Sequence, residues 1–185
     1  MVMLIFAGIV VVVLIIIATM YNRLVRMRNT VRSAWSDIDV QLKKRFNLVP
    51  ALVETVKAYA AHEKGVFEKV AEARSAAMQA SGPKDAARSD NMFKDTLKSL
   101  FAVAEAYPEL KANDNFLQLQ QQFQDIEGNI ESARRYYNAV VRDYNNLTET
   151  FPSVLIANGF GFKAEEFFQL DEPDEQRKPI RPDFS

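Results

Sequence analysis

The chain has 185 residues and a nearly balanced charge, with 23 Lys and Arg against 24 Asp and Glu. This length suits one domain with a hydrophobic core, and the net charge of −1 argues against a general nucleic-acid binder. The chain has no cysteine, which excludes disulfide bonds, thiol catalysis and thiolate metal sites.

The first predicted element is an apolar segment, residues 2–20, that contains no charged side chain. As a helix it is roughly 28 Å long, close to the ~30 Å hydrocarbon layer of a bilayer. A cleaved signal peptide is the nearest alternative, but no Lys or Arg precedes the segment, and its end at Ala18-Thr19-Met20 lacks a small-x-small cleavage pattern. A buried core helix is disfavoured, because nothing else in the chain is apolar enough to surround it. We therefore expect residues 1–20 to be a transmembrane anchor.

Positive charge directly after this segment predicts the topology. Tyr21 stands where an interfacial aromatic residue is expected, and four arginines follow it: Arg23, Arg26, Arg28 and Arg32. The positive-inside rule then places the N-terminus outside and residues 21 onward in the cytoplasm. We expect these five residues to lie at the membrane interface, where the arginines either contact anionic headgroups or are solvated flanking charges.

The remainder of the chain is expected to form long helices, because Gly and Pro are few and clustered. Apolar residues recur at steps of three and four after residue 20, so the anchor helix should continue as an amphipathic helix. Pro50 predicts a kink or a restart, Gly82-Pro83 the end of the second helix, and Pro108 the end of the third. The stripes expected in the core are Leu24, Met27, Val31, Ala34, Trp35, Ile38, Leu42 and Phe46, then Val49, Leu52, Val56, Tyr59, Val66, Val70, Ala73 and Ala77, then Phe93, Leu97, Leu100, Ala104 and Tyr107.

The fourth predicted helix has the most regular pattern, in which steps of three and four alternate without a miss, as in a left-handed coiled-coil seam. Its positions are Phe116, Leu119, Phe123, Ile126, Ile130, Ala133, Tyr137, Val140, Tyr144, Leu147 and Phe151. The sum is an all-α fold, in which an N-terminal transmembrane helix continues into an antiparallel four-helix bundle with long coiled-coil-like helices. The bundle should span residues 21–168, and residues 169–185 form a polar tail that we expect to be disordered.

Aromatic residues are concentrated after the fourth helix, around the glycines at 159 and 161. These rings either fold back over the bundle or dock a partner or a bilayer surface. The candidate docking residues are Phe160, Phe162, Phe167 and Phe168.

No catalytic or metal site is legible in the chain. His62 is its single histidine, and a zincin motif would need a second one where Val66 stands. Nucleophile-elbow, P-loop and dinucleotide-binding motifs are absent. The basic and aromatic run at 134–137 has the composition of a nucleic-acid platform, but Glu127 and Glu131 at helical pairing distance favour an ion-paired, solvated face. We expect no enzyme activity, cofactor, metal or small-molecule substrate.

Several longer blocks resemble the LemA family of bacterial membrane proteins. They are NLVPALVETVKAYAAHEKGVFEKVAEAR, AYPELKANDNFLQLQ, RRYYNAVVRDYNN and the FPS turn with the GFGF that follows it. The resemblance covers nearly the whole chain, apart from a longer, proline-bearing tail and Gly82-Pro83. It implies a single-pass protein of the bacterial inner membrane with a helical-hairpin body, and no settled biochemical activity. Members of the family are associated with membrane organisation, including biogenesis of an organelle membrane, and with proteostasis.

From the residues and the resemblance we expect a membrane-tethered, non-enzymatic scaffold that self-associates and organises lipid or other membrane proteins. The alternative is an accessory or adaptor subunit for a membrane protease or chaperone, in which the tail and the 158–168 segment should matter most. An enzyme would need an interhelical pocket with strongly perturbed carboxylate pKa values. The expected partners are the membrane, further copies of the chain and other membrane proteins.

Overall fold

The computed structural model describes residues 1–169, so the predicted tail lies outside the described residues apart from Gln169. Every regular element in this part of the chain is an α-helix, as predicted. The helices are α1 (Val2–Lys57), α2 (Lys64–Gln79), α3 (Gly82–Glu105), α4 (Pro108–Lys111), α5 (Asp114–Glu149) and α6 (Ser153–Phe160).

The first part of α1 has the length and composition of a membrane span. Its most apolar window of 18 residues has a mean hydropathy of 3.2, and none of that window is buried by the rest of the described chain. A core helix of a soluble protein with this composition would be enclosed on every side. Enclosure instead begins at Leu24, which is fully buried.

α1 continues through Pro50 without ending, so the restart predicted there does not occur. A proline inside a helix has no N–H for the carbonyl four residues earlier, here that of Phe46. Arg74 of α2 replaces the missing donor, because its Nε donates to the Phe46 carbonyl oxygen at 2.8 Å. The second helix begins only at Lys64, after a turn at residues 58–63 that the apolar pattern does not predict.

α1 and α5 pack together as an antiparallel pair. Near the far end of α1 the Asn113 Nδ2 donates to the Tyr59 hydroxyl at 3.1 Å, and nearer the span the rings of Trp35 and Tyr137 lie 5.8 Å apart. Residue numbers therefore rise along α1 as they fall along α5.

The predicted stripe of α5 faces this core, except at its last position. Its buried members are Phe116, Phe123, Ile130, Tyr137, Val140 and Tyr144, and its half-buried members are Leu119, Ile126, Ala133 and Leu147. Phe151 is 79% exposed, which corrects the prediction that it belongs to the core. The reason is that α5 ends at Glu149, and the chain changes direction before the stripe is complete.

α2 and α3 form a hairpin on the part of α1 that lies away from the span. Gly82, with φ of 84°, takes a left-handed backbone conformation that glycine adopts freely, and Pro83 follows in the first turn of α3. The predicted break is thus confirmed. The rings of Phe46 and Phe93 pack edge to face at 5.3 Å. Phe46 lies about 39 Å beyond Met20 along a straight helix, so the hairpin stands well away from the span.

Candidate membrane-interface site

An aromatic cluster lies where α1 leaves its apolar segment. The ring of Tyr21 lies 4.9 Å from that of Phe160 and 5.7 Å from that of Phe162. The Arg28 guanidinium, two turns further along α1, covers the Phe162 ring at 4.9 Å. Ring pairs and cation–ring contacts of this kind contribute roughly 0.5–1.5 kcal/mol each. They hold the end of α6 against α1 at the end of the apolar segment.

The four arginines predicted at the interface differ in their surroundings. Arg28 is half-buried against its ring, while Arg23, Arg26 and Arg32 are exposed. Along a straight helix, Arg23 lies about 4.5 Å beyond Met20, Arg26 about 9 Å and Arg32 about 18 Å. The first two are therefore the nearest to a headgroup layer. The assignment of all four arginines and Tyr21 to the membrane interface stays a prediction.

After α6 the chain runs back along α5 as a non-helical segment, residues 162–169, held by two asparagines of α5. The Asn145 side chain donates to the Glu165 carbonyl at 2.9 Å and accepts from the Glu165 N–H at 2.8 Å. Asn138 makes the same pair of bonds with Phe168, at 3.0 and 2.9 Å. Asparagines seven residues apart share one helix face. Each asparagine therefore hydrogen-bonds both the backbone N–H and the carbonyl of one residue in the non-helical segment.

Two tyrosines are buried beside these asparagines. The Tyr137 hydroxyl donates to the Glu166 carbonyl at 2.8 Å. Burial raises the pKa of Tyr137 to about 12, and the charges of Glu165 and Glu166 add to the effect. Burial also raises the pKa of Tyr144, with Glu165 adding to the shift and two arginines of α1 opposing it. Both phenols are neutral at physiological pH; both rings pack in the core, and the Tyr137 hydroxyl also holds the returning segment.

The structure separates the four phenylalanines predicted as docking residues. Phe162 and Phe168 are 6% and 1% exposed, and Phe168 packs against Trp35. These two rings fold back over the bundle, which was the other interpretation of this stretch, and they leave a partner no free surface. Phe167 is half-buried, and only Phe160, at 59% exposure, presents most of its side chain.

The asparagine pair was missed by sequence reasoning, although a signal was available. Tyr137-Asn138 recurs seven residues later as Tyr144-Asn145. Both tyrosines belong to the predicted core stripe, and an asparagine directly follows each of them. A polar residue that repeats in register with a core position indicates a second strip of contacts along the same helix.

A cluster of buried charges joins α1, α3 and α5 at the hairpin. Arg45 and Asp90, 0% and 1% exposed, form an ion pair. Arg45 Nη1 also donates to Glu127 at 2.9 Å, and Lys94 pairs with both carboxylates. Arg134 Nη1 lies 3.7 Å from Asp90. Charges at this depth cost several kcal/mol each to bury unless they are paired, so the cluster couples the three helices.

The two buried residues of this cluster, Arg45 and Asp90, occupy positions of the apolar stripes. Asp90 falls four residues after Ala86 and three before Phe93, and Arg45 falls three after Leu42. Opposite charges at two core positions indicate a buried ion pair, but the sequence analysis did not predict one. Their pairing is not a local property, because the two residues stand 45 positions apart.

Among the other polar residues considered from the sequence, His62, Glu131 and Arg135 are at the surface. His62 is exposed in the turn between α1 and α2. Glu131 and Arg135 form the predicted ion pair, whereas Glu127 turns toward Arg45. The predicted ion-paired, solvated face is therefore present at Glu131 and Arg135, whereas Glu127 and Arg134 belong to the charge cluster.

An open groove of about 510 Å³ lies between α3 and α5, beside the charge cluster. Leu97, Phe101 and Phe123 form its apolar part, with Lys94 and Glu127 among its polar lining residues. None of the lining residues is a serine, threonine or histidine. The groove therefore combines an apolar floor with charged and amide side chains at its edges.

A model of the LemA family matches residues 34–184, which is most of the chain. The chain belongs to the LemA family. This LemA-family protein is 26% identical, over 175 aligned residues, to magnetosome protein MamQ 2 of Paramagnetospirillum magneticum, and 26% identical over 174 to MamQ of Magnetospirillum gryphiswaldense. Both alignments cover 80% of this chain and 64% of the relative, so the chain spans less than two thirds of their length. Protein LemA of Metamycoplasma hominis is 24% identical over 155 residues, covering 82% of this chain and 69% of the relative.

The family match begins after the apolar segment, so it leaves out Tyr21 and Arg28 of the aromatic cluster. It covers the charge cluster around Arg45 and Asp90, the asparagine pair, and α6. Family membership therefore rests on the body, while the membrane span rests on the length and composition of residues 2–20. Together they indicate a membrane protein.

Proposed function

We propose that this LemA-family protein is a membrane-anchored, non-enzymatic scaffold of a bacterial inner membrane, with its N-terminus outside and its body in the cytoplasm. The observation that carries the proposal is the continuity of α1, because one helix supplies both the apolar span and the element on which α3, α5 and α6 pack. α1 extends about 55 Å beyond residue 20. A continuous helix of this length holds partners at a set distance from the bilayer.

The scaffold is proposed to self-associate through its anchor. The stripe next to the span is already used within the chain, since Leu24 and Val31 are buried. Residues 2–20 are exposed along nearly their whole length, and they contain no G-x-x-x-G motif that would specify one close packing. Contacts between copies would therefore form among large apolar side chains in the lipid.

Single-cysteine variants test this proposal, because the chain has no cysteine of its own. Val12→Cys, in the span, should give crosslinked dimers in native membranes, and the protein should run larger than one chain after mild solubilisation. Leu117→Cys, exposed at the far end of α5, is the matched control and should not crosslink. A single-chain size with no Val12→Cys dimer would contradict self-association.

Single-cysteine variants of the cysteine-free chain also test the topology. In intact cells a membrane-impermeant maleimide should label Val2→Cys, while Leu117→Cys should be labelled only after lysis. The opposite pattern would reverse the proposed orientation, and release of the protein by alkaline washing would contradict the anchor itself.

The groove between α3 and α5 favours a second candidate function, an adaptor subunit for membrane protein quality control. Its apolar floor suits a hydrophobic peptide segment. Ala102→Arg, at an exposed lining position, should block the groove without disturbing the core, and Ser99→Arg, an exposed position outside the lining, is the control. A protease or chaperone that co-purifies with wild type and Ser99→Arg, but not with Ala102→Arg, would support this function. Identical sets of co-purifying proteins would count against it.

A further inference from the structure

α6 and Phe151, two residues before its start, leave an apolar surface uncovered. Phe151 is 79% exposed, Leu155 63% and Phe160 59%. Leu155 lies about 200° around the helix from the buried Ala157 and so points away from the body, whereas Phe160, the last residue of α6, lies only about 60° from Ala157 and is exposed at the helix end. Three large apolar side chains exposed within ten residues are unusual for a surface that faces only water.

The position of this surface relative to the span is set by contacts at both of its ends. At one end, Phe160 packs on Tyr21 at 4.9 Å. At the other, Thr150, directly before Phe151, lines the same hollow as Arg23 of α1. Tyr21 and Arg23 lie about 1.5 and 4.5 Å beyond residue 20 along α1. The interfacial layer of a bilayer is roughly 5–8 Å thick on each side, so the α6 surface is level with that layer.

The chemistry at this level favours lipid as the occupant. Exposed phenylalanine and leucine side chains with basic residues nearby are typical of segments that lie in the headgroup and acyl boundary. Arg23 and Arg26 are exposed close to the same level and suit anionic headgroups. The surface is also continuous, through the Tyr21–Phe160 contact, with a segment that has the composition of a membrane span.

We propose that Phe151, Leu155 and Phe160 form a second membrane contact, in which α6 lies in the interfacial layer beside the span. This inference rests on the anchor of the proposed function and adds a separate property to it. One span leaves the body free to tilt and rotate about α1. A second contact on one side of α1 removes much of that freedom and holds the α1–α5 pair in one orientation to the bilayer.

Depth measurements on the full chain in vesicles of phosphatidylcholine and phosphatidylglycerol test the proposal. Spin labels are attached one at a time to Leu155→Cys, to Val12→Cys within the span and to Leu117→Cys at the far end of α5. Collision with oxygen, which concentrates in lipid, is compared with collision with a water-soluble nickel chelate. The Leu155 label should show a ratio of oxygen to nickel collisions several-fold above that of the Leu117 label and below that of the Val12 label.

The three labelled positions distinguish failure of the second membrane contact from failure of the anchor. A Val12 label in lipid with a Leu155 label open to nickel would overturn the second contact and leave the anchor intact. A Leu155 label shielded from both reagents would mean that protein covers α6, which also overturns it. A Val12 label open to nickel would remove the anchor and this inference together. Leu155 is exposed, and circular dichroism of the labelled variant checks that the helices remain.

Discussion

At the membrane-proximal end of the body, residues 162–169 are bound to α5 by neutral amides, a phenol and packed rings. At the junction with the α2–α3 hairpin, three helices instead meet over buried charges, with Arg45 and Asp90 at the centre. Neutral hydrogen bonds contribute about 1 kcal/mol each, and losing one leaves a modest desolvation cost. A buried charge that loses its partner costs far more. The junction should therefore be much more sensitive to single substitutions than the proximal end.

The largest expected effect is that of Asp90→Asn at the junction. The substitution keeps the shape of the side chain but leaves the fully buried Arg45 opposite a neutral amide, with Glu127 as its remaining anionic partner. We expect a loss of roughly 3–5 kcal/mol in the free energy of unfolding. The measurement is urea denaturation of the full chain in detergent, followed by far-UV circular dichroism.

Asp95→Asn is the control, because Asp95 lies on the same helix and is 75% exposed. It should change the free energy of unfolding by less than about 0.5 kcal/mol. Replacing both charges, as in Arg45→Met with Asp90→Leu, should recover part of the loss, since a well-packed apolar pair removes the uncompensated charge. Equal effects of Asp90→Asn and Asp95→Asn would refute the contrast between the two regions.

Next in size are the asparagine substitutions at the proximal end. Asn145→Ala and Asn138→Ala each remove two hydrogen bonds to one backbone residue and should cost roughly 1–3 kcal/mol. The effect should be local, so hydrogen exchange of the Glu165 amide rises in the first variant and that of the Phe168 amide in the second. Asn129→Ala, exposed on the same helix, should change neither. If amide hydrogen exchange rose equally across the whole body, the effect of each asparagine would not be confined to the residue that it bonds.

A smaller effect is expected for the contact between Arg74 and the carbonyl freed by Pro50. Arg74→Met should cost about 1–2 kcal/mol, because the Phe46 carbonyl loses its donor. In a Pro50→Ala background the backbone N–H at position 50 can bond that carbonyl within the helix, so the same Arg74 substitution should cost less. A double-mutant cycle of unfolding free energies measures the difference. Strict additivity would mean that Arg74 does not replace the missing helical donor.

The smallest effect, about 1 kcal/mol, is expected for Tyr137→Phe, which removes the hydroxyl that donates to the Glu166 carbonyl. The pH dependence of the free energy of unfolding tests the role of the Tyr137 hydroxyl more directly. The folded pKa is about 12 against a usual value of 10.0, so the unfolded chain releases the phenol proton first. Stability from the neutral phenol is complete below pH 10 and falls as the pH rises toward 12. Denaturation curves across this range should show a shallower fall for Tyr137→Phe, whereas Tyr136→Phe, at an exposed position, should follow wild type.

The sequence predicted the apolar stripe of α5 better than the polar contacts at the proximal end. Along α5 the apolar stripe was predicted correctly up to Leu147, because a repeat of three and four residues reports the buried face of any long helix. The proximal hydrogen bonds were not predicted, since the repeat of Tyr137-Asn138 at Tyr144-Asn145 indicates a polar strip but not whether its asparagines bond water or a returning backbone. Phe151 was assigned to the core because the periodicity continues through it, although the helix had already ended.

Consecutive residues alone determined the apolar segment, the helical class, most positions of the stripes and the break at Gly82-Pro83, because charge, periodicity and backbone restriction are local properties. Tyr59 and Phe151 were also assigned to stripes, but both are exposed. Only the tertiary structure decided that α1 passes through Pro50, that Arg45 and Asp90 belong in the core and that residues 162–169 return along α5. Each of these depends on a partner distant in the chain, 28 positions away for the Phe46 carbonyl, 45 for Arg45 and 20 for Asn145. The physical reason is that a buried polar group is stable only when its partner is present, and folding alone brings that partner within reach.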